Sequence, residues 1–213
     1  RPLEVFRRYV QVRANLGAVV KAILLDPEAR DPQWSATNDQ YGRLKEPVYR
    51  AMNLARVGNL ARHPNLLWWS YHEFNAAGLQ EPMLAPTVFN FFRPNYQPPG
   101  IMAQRGLVGP AFQITDSFTS IAFPNKLWEI TQKGFTTSRY SFIPDYTELM
   151  AIADDAEALL DEVNLLICGG GMSASTRRNL LEALEQVAPY DRILRAQLAV
   201  YLAVSCPDGA VQR

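Results

Sequence analysis

This sequence predicts an all-α fold: an irregular helical domain with a long proline- and aromatic-rich insert and a C-terminal antiparallel stack of three helices. Three observations carry that reading. Apolar residues recur at helical spacing through residues 16–25 and again through the last seventy residues. Strand signals, in which apolar and polar residues alternate between turn pairs, are almost absent. Fifteen prolines, most of them before residue 65 or between Pro82 and Pro144, leave the middle of the chain unsuited to long helices. With 213 residues, 48% of them hydrophobic, the chain can hide roughly 70% of its unfolded surface and build one sizeable core without metals or staples. The whole of 1–213 reads as a single helical domain, with a basic helical part (1–62), an irregular insert (63–115) and a second helical part (116–213).

The first helix runs from Leu16 to about Leu25, capped by Asn15, with Leu16, Val19, Val20, Ile23 and Leu24 as its apolar stripe. Asp26-Pro27 ends it, because the residue before proline avoids the α region. Residues 31–42 are polar, turn-rich loop. A second helix starts at Glu46-Pro47, where proline is tolerated in the first turn, and runs to about Arg62. Val48, Met52, Ala55 and Leu60 face inward, and Gly58 weakens it by about 1 kcal/mol relative to alanine. Residues 63–115 hold seven prolines among nine aromatic residues, from Trp68 to Phe112. Such a stretch is too aromatic for disorder and too rich in proline for regular structure. It reads as an ordered, irregular segment with short helical turns. Asp116 or Ser117 caps a helix to Lys133, with Gly134 just past its end and a break or kink expected at Pro124.

The stack follows. One helix spans Tyr146 to Ile167, with Leu149, Ile152, Ala153, Ala156, Leu159, Leu160, Val163 and Leu166 inward, and Gly169-Gly170-Gly171 stops it. Ser173 or Ser175 caps a second helix to about Val187. A third runs from Pro189 to Val204, with Ile193, Leu194, Leu198 and Tyr201 inward. In such a stack the first and third helices end on the same side, which makes Cys168 and Cys206 neighbours. They are then either two unpaired small thiols or, in an oxidising compartment, a bridge worth about 4 kcal/mol in the chain-entropy model.

Charge excludes several functions. Lys and Arg number 21, as do Asp and Glu, and a neutral chain is a poor binder of nucleic-acid phosphates. The balance is uneven: +5 over residues 1–62 and −6 over residues 144–213. Either the basic end meets an anionic partner, or the two ends attract each other. No apolar run approaches the ~20 residues that span a bilayer. With two histidines and two cysteines, multi-ligand metal sites are nearly out of reach, and no cofactor motif is present. The triple glycine follows a helix rather than a strand and reads as a helix cap, not a phosphate loop. His72-Glu73 lacks the second histidine of a zinc protease, and no Gly-x-Ser-x-Gly occurs. Asp154, Asp155, Glu157, Asp161 and Glu162 form an acidic helix face without the pattern of a calcium loop. Arg43, Lys45, Glu46 and Arg50 read as an ion-pair network at a helix start.

The most informative segment is LAPTVFNFFRPNYQPPG (84–100), in which Arg93 is the only charged residue among Phe89, Phe91, Phe92 and Tyr96. An arginine there is either a latch onto backbone carbonyls, fastening the insert, or an anchor for an anionic ligand. Asn90 and Tyr96 add the amide and hydroxyl that orient sugars. Arg93, Asn90, Tyr96 and His72 are the candidate ligand-binding residues.

These segments also carry a family resemblance. Residues 15–30 (NLGAVVKAILLDPEAR), 42–56 (GRLKEPVYRAMNLAR), 85–100 (APTVFNFFRPNYQPPG) and 106–115 (GLVGPAFQIT) resemble the carboxyl-terminal half of a bacterial family, domain of unknown function 1800, and the final helices resemble its chain end. Cys206 and Gly209 depart from that family's ending, where a small residue and an aromatic are usual. The resemblance implies a periplasmic or extracellular protein. It also implies an amino-terminal half lying outside this sequence, which fits an Arg at position 1 with no export signal after it. Two functions follow as expectations. The first is an exported scaffold or interaction protein, whose aromatic insert binds another protein chain or a cell-surface polysaccharide. Its own missing half or a second copy of itself is among those partners. The second is an enzyme, or an accessory half of one, acting on an anionic or sulfated glycan.

Overall fold

A computed structural model of the protein describes residues 16–31, 33, 37, 38, 41–60, 80, 81, 84–136 and 141–212. The fold is all-α among these residues, with two pairs of two-residue strands. The chain divides into two compact units, one up to Gly42 and one from Arg43 to Gln212.

In the first unit, α1 (Leu16–Leu24) stops before Asp26, whose carboxylate accepts from the Glu28 N–H at 2.9 Å and starts α2 (Pro27–Arg30). The apolar stripe is present, but Leu16, Val20, Ile23 and Leu24 are exposed rather than inward.

The second unit opens on β1 (Arg43–Leu44), which pairs antiparallel with the chain end, β4 (Val211–Gln212). Next, α3 (Pro47–Val57) buries Ala51, Leu54 and Ala55. It is shorter than expected because the chain turns at Gly58, where an added Cβ would lie 2.8 Å from the Pro144 side chain. The described insert is irregular, with a short α4 (Ile101–Gln104) and a 3-10 turn over Pro110–Ile114. Asp116 accepts from the Thr119 N–H at 2.7 Å and opens α5 (Thr119–Lys133). Pro124 does not break that helix. It sits near the start, and the hydrogen bond it forfeits is to the carbonyl of exposed Ser120. A short antiparallel pair follows, β2 (Phe135–Thr136) with β3 (Ser141–Phe142), and it buries both phenylalanines.

The long helix expected from Tyr146 to Ile167 is two helices, α6 (Thr147–Ile152) and α7 (Ala156–Cys168). Asp155 supplies the start signal, accepting from the N–H groups of Glu157 and Ala158. Gly169 in the left-handed region stops α7. Ser173 caps α8 (Ala174–Glu185) and Asp191 caps α9 (Arg192–Ser205). A last turn, α10 (Pro207–Ala210), leads into β4.

Helix α9 is the centre of this unit, packing on α3, α5, α6, α7, α8 and α10. Its buried face is Ala196, Ala199, Val200, Ala203 and Val204, whereas Ile193 is exposed and Leu194, Leu198 and Tyr201 are half-buried. Small residues let neighbouring backbones approach, so they hold the centre of the contact, and Leu198 and Tyr201 pack on its edge. Leu54, Leu127, Ile130, Leu159, Leu160, Val163 and Leu184 complete the core.

One buried cation holds the break between α6 and α7. Arg195, 4% exposed, donates to the carbonyls of Ala153 (2.8 Å), Asp154 (2.9 Å) and Val187 (3.1 Å). The charged cluster near α3 works in the same way, and among the described residues it forms no ion pair. Lys45 donates to the Ile167 carbonyl at 3.1 Å and Arg50 to the Val204 carbonyl at 2.9 Å, at the C-terminal ends of α7 and α9, where cations are favoured. Burial draws the Arg50 guanidinium down to about 10, and its face lies over the Phe123 ring.

Candidate binding site

The segment singled out from sequence forms the rim of a cavity. Thr87-Val88-Phe89-Asn90 is a tight turn: the Asn90 N–H donates to the Thr87 carbonyl at 3.2 Å, and the Phe89 N–H to Thr87 Oγ1 at 3.1 Å. The turn works because Asn90 adopts φ +71°, a conformation that asparagine tolerates better than most residues. Val88, 94% exposed, and Phe89, 62% exposed, stand at its tip.

Beside the turn lies a cavity of about 680 Å3, lined by Phe89, Phe91, Phe92 and Arg93 together with Asn90, Gln113 and neighbouring prolines. Gln113 Oε1 accepts from the Arg93 backbone N–H at 2.7 Å, which fixes where the arginine leaves the chain. Arg93 itself is exposed, and among the described residues no group hydrogen-bonds or ion-pairs with its guanidinium. Five donors on a planar cation are therefore free for a ligand, between walls of aromatic carbon.

Asn90 has another task. Its amide donates to Glu46 Oε2 at 3.3 Å, and Gln80, 3% exposed, donates to the same oxygen. Gln80 Oε1 in turn accepts from the Val48 N–H at 3.1 Å, one of the free donors of the first turn of α3. This chain of amides and one carboxylate fastens the insert to the helices, a role that the sequence offered to Arg93 as one of two alternatives. Asn90→Ala is expected to cost about 1–2 kcal/mol, by losing the bond to Glu46 and placing alanine at positive φ. Asn90→Gly relieves the backbone and leaves only the bond to lose. The difference between their urea midpoints separates the two contributions.

Of the four candidates, then, Arg93 and Asn90 share one cavity. Tyr96 is half-buried and does not line it; its backbone carbonyl accepts from the Gly109 N–H at 2.8 Å. His72 lies outside the described residues. Sequence reasoning missed Gln113, Gln80 and the part played by Glu46. The only signal for Gln113 was its place in the 106–115 stretch that carries the resemblance.

The other constellations are engaged elsewhere. Arg177 on α8 pairs with Glu157 and Asp161 of α7, and Arg192 with Asp154 at 3.2 Å, so the acidic face binds helices together. Cys168 and Cys206 are unbridged, and Cys206 Sγ donates to the Ala203 carbonyl at 3.1 Å. Gly209 fits where a side chain does not: an added Cβ would lie 1.8 Å from the Ala203 carbonyl oxygen.

Fold and cavity together define a helical protein that presents an arginine in an aromatic cleft on an irregular insert. The chain belongs to the family described as Protein of unknown function (DUF1800), whose model matches residues 3–210. No curated protein and no solved structure matches it.

Proposed function

We propose that this protein is an exported interaction protein whose aromatic insert grips an anionic group on a cell-surface polymer or on a partner protein. One observation carries the reading: the Arg93 guanidinium stands in the phenylalanine-lined cavity with no bonding partner among the described residues. The lining supports binding over catalysis, since its described residues include no carboxylate, imidazole or thiol to move a proton or attack a substrate. Large apolar side chains stay exposed along the same stretch, among them Leu84, Val88, Phe89, Ile101 and Val108, which favours a macromolecular partner. Export is part of the proposal on the strength of the resemblance alone. No described helix is long and apolar enough to cross a membrane.

Arg93→Ala tests the reading. Binding to dextran sulfate and to an acidic peptide is measured with neutral dextran as control, alongside thermal denaturation. The wild type is expected to retain at least one anionic probe and to ignore neutral dextran. The variant loses about tenfold or more in affinity, as for a hydrogen-bonded charge, with its melting temperature unchanged. If the wild type binds neither anionic probe, or if the variant melts many degrees lower, the reading falls.

A further inference from the structure

Independently of the cavity, we infer that Cys168 and Cys206 form a disulfide-exchange pair that clasps the end of α7 to the end of α9. The observations are geometric. Cys168 is the last residue of α7, Cys206 immediately follows α9, and the two helices pack against each other. Both are half-buried and so within reach of a small reagent. The surroundings set the order of events. As a thiol Cys206 donates to the Ala203 carbonyl at 3.1 Å, while its Sγ accepts the Gly209 N–H at 3.3 Å. The neighbouring Cys168 side chain and this N–H draw it below the ordinary thiol value. Lys45 favours the anion and Asp208 opposes it. Cys168 is pushed up by the neighbouring Cys206 side chain and by burial. Cys206 is therefore the attacking thiolate and Cys168 the resolving thiol.

The oxidant is a small-molecule disulfide, RS–SR. The Cys206 thiolate attacks one of its sulfurs, so that the Cys206–SR bond forms, the S–S bond of the reagent breaks, and RS⁻ leaves to take a proton from water. Cys168 then gives its proton to solvent and attacks Cys206 Sγ, forming the Cys168–Cys206 bond and expelling the second RS⁻. The protein thiols lose two electrons and RS–SR gains them. The product closes a loop of about 37 residues around α8 and α9.

The test incubates the protein with oxidised glutathione and reads intact mass, free thiols and melting temperature. The wild type is expected to lose two hydrogens and both thiols without a retained adduct, and to melt roughly 10 °C higher until reductant is added. Cys168→Ser should stop at one glutathionyl adduct, while Cys206→Ser reacts at least tenfold more slowly. Two thiols persisting in the wild type, a stable adduct on it, or bridged dimers would each overturn the inference.

Discussion

Replacing Arg195 by methionine is expected to lower stability by about 3–5 kcal/mol, the largest loss from any single side chain in the C-terminal helices. The guanidinium is nine-tenths or more hidden and spends its donors on three backbone carbonyls, those of Ala153, Asp154 and Val187. Methionine keeps much of the aliphatic volume and donates nothing. Asp154 is exposed, so its carbonyl recovers a water. The Ala153 carbonyl is buried and the Val187 carbonyl half-buried, and each orphaned acceptor costs about 1–3 kcal/mol. Lysine at the same place recovers only part of the loss, because one ammonium cannot span three acceptors as a planar fork does. Thermal unfolding followed by circular dichroism should show the methionine variant melting roughly 10 °C lower, with lysine in between. A methionine variant within about 1 kcal/mol of wild type would mean that water already satisfies those carbonyls.

That arginine shows what the sequence hides. Signals acting over three or four residues were legible: Asp26 before Pro27, Gly169 after α7 and Ser173 before α8 all fall where capping chemistry places them. Asp155 was legible in principle, but apolar spacing continuing from Ile152 to Leu159 masked it. The inward face of α9 was legible only in part. Leu198 and Tyr201 do pack against the core, but periodicity gives weight to large side chains, so exposed Ile193 was counted and Ala196, Ala199 and Ala203, which are fully buried, were not. Contacts between distant residues were out of reach. Nothing near Arg195 in the chain indicates Ala153, and nothing near Asn90 indicates Glu46, 44 residues away. The same limit applies to the candidate site. One arginine in a run of aromatics marked residues 84–100 for attention. Whether Arg93 or Asn90 did the fastening depended on a carboxylate at the start of α3.

Gly134→Ala is expected to be comparably severe, for a reason of backbone rather than side chain. Gly134 joins α5 to the β2–β3 pair at φ +68°, ψ −152°, a region that essentially only glycine enters, at a cost of about 1–3 kcal/mol for other residues. Space compounds the strain: an added Cβ would lie 1.9 Å from the Phe142 carbonyl oxygen and 2.7 Å from Pro144 Cδ. Relief requires the strand pair to move away from α5, which withdraws Phe135 and Phe142 from the core and adds about 1–3 kcal/mol in disturbed packing. Gly169→Ala supplies the comparison. It too has positive φ, +62°, but its Cβ would meet nothing within 4 Å, so only the backbone cost of about 1 kcal/mol applies. Denaturant midpoints of the two variants should therefore differ by about 3 kcal/mol in favour of Gly169→Ala. Equal midpoints would show that the strand pair yields freely, and that Gly134 is needed for its dihedral angles alone.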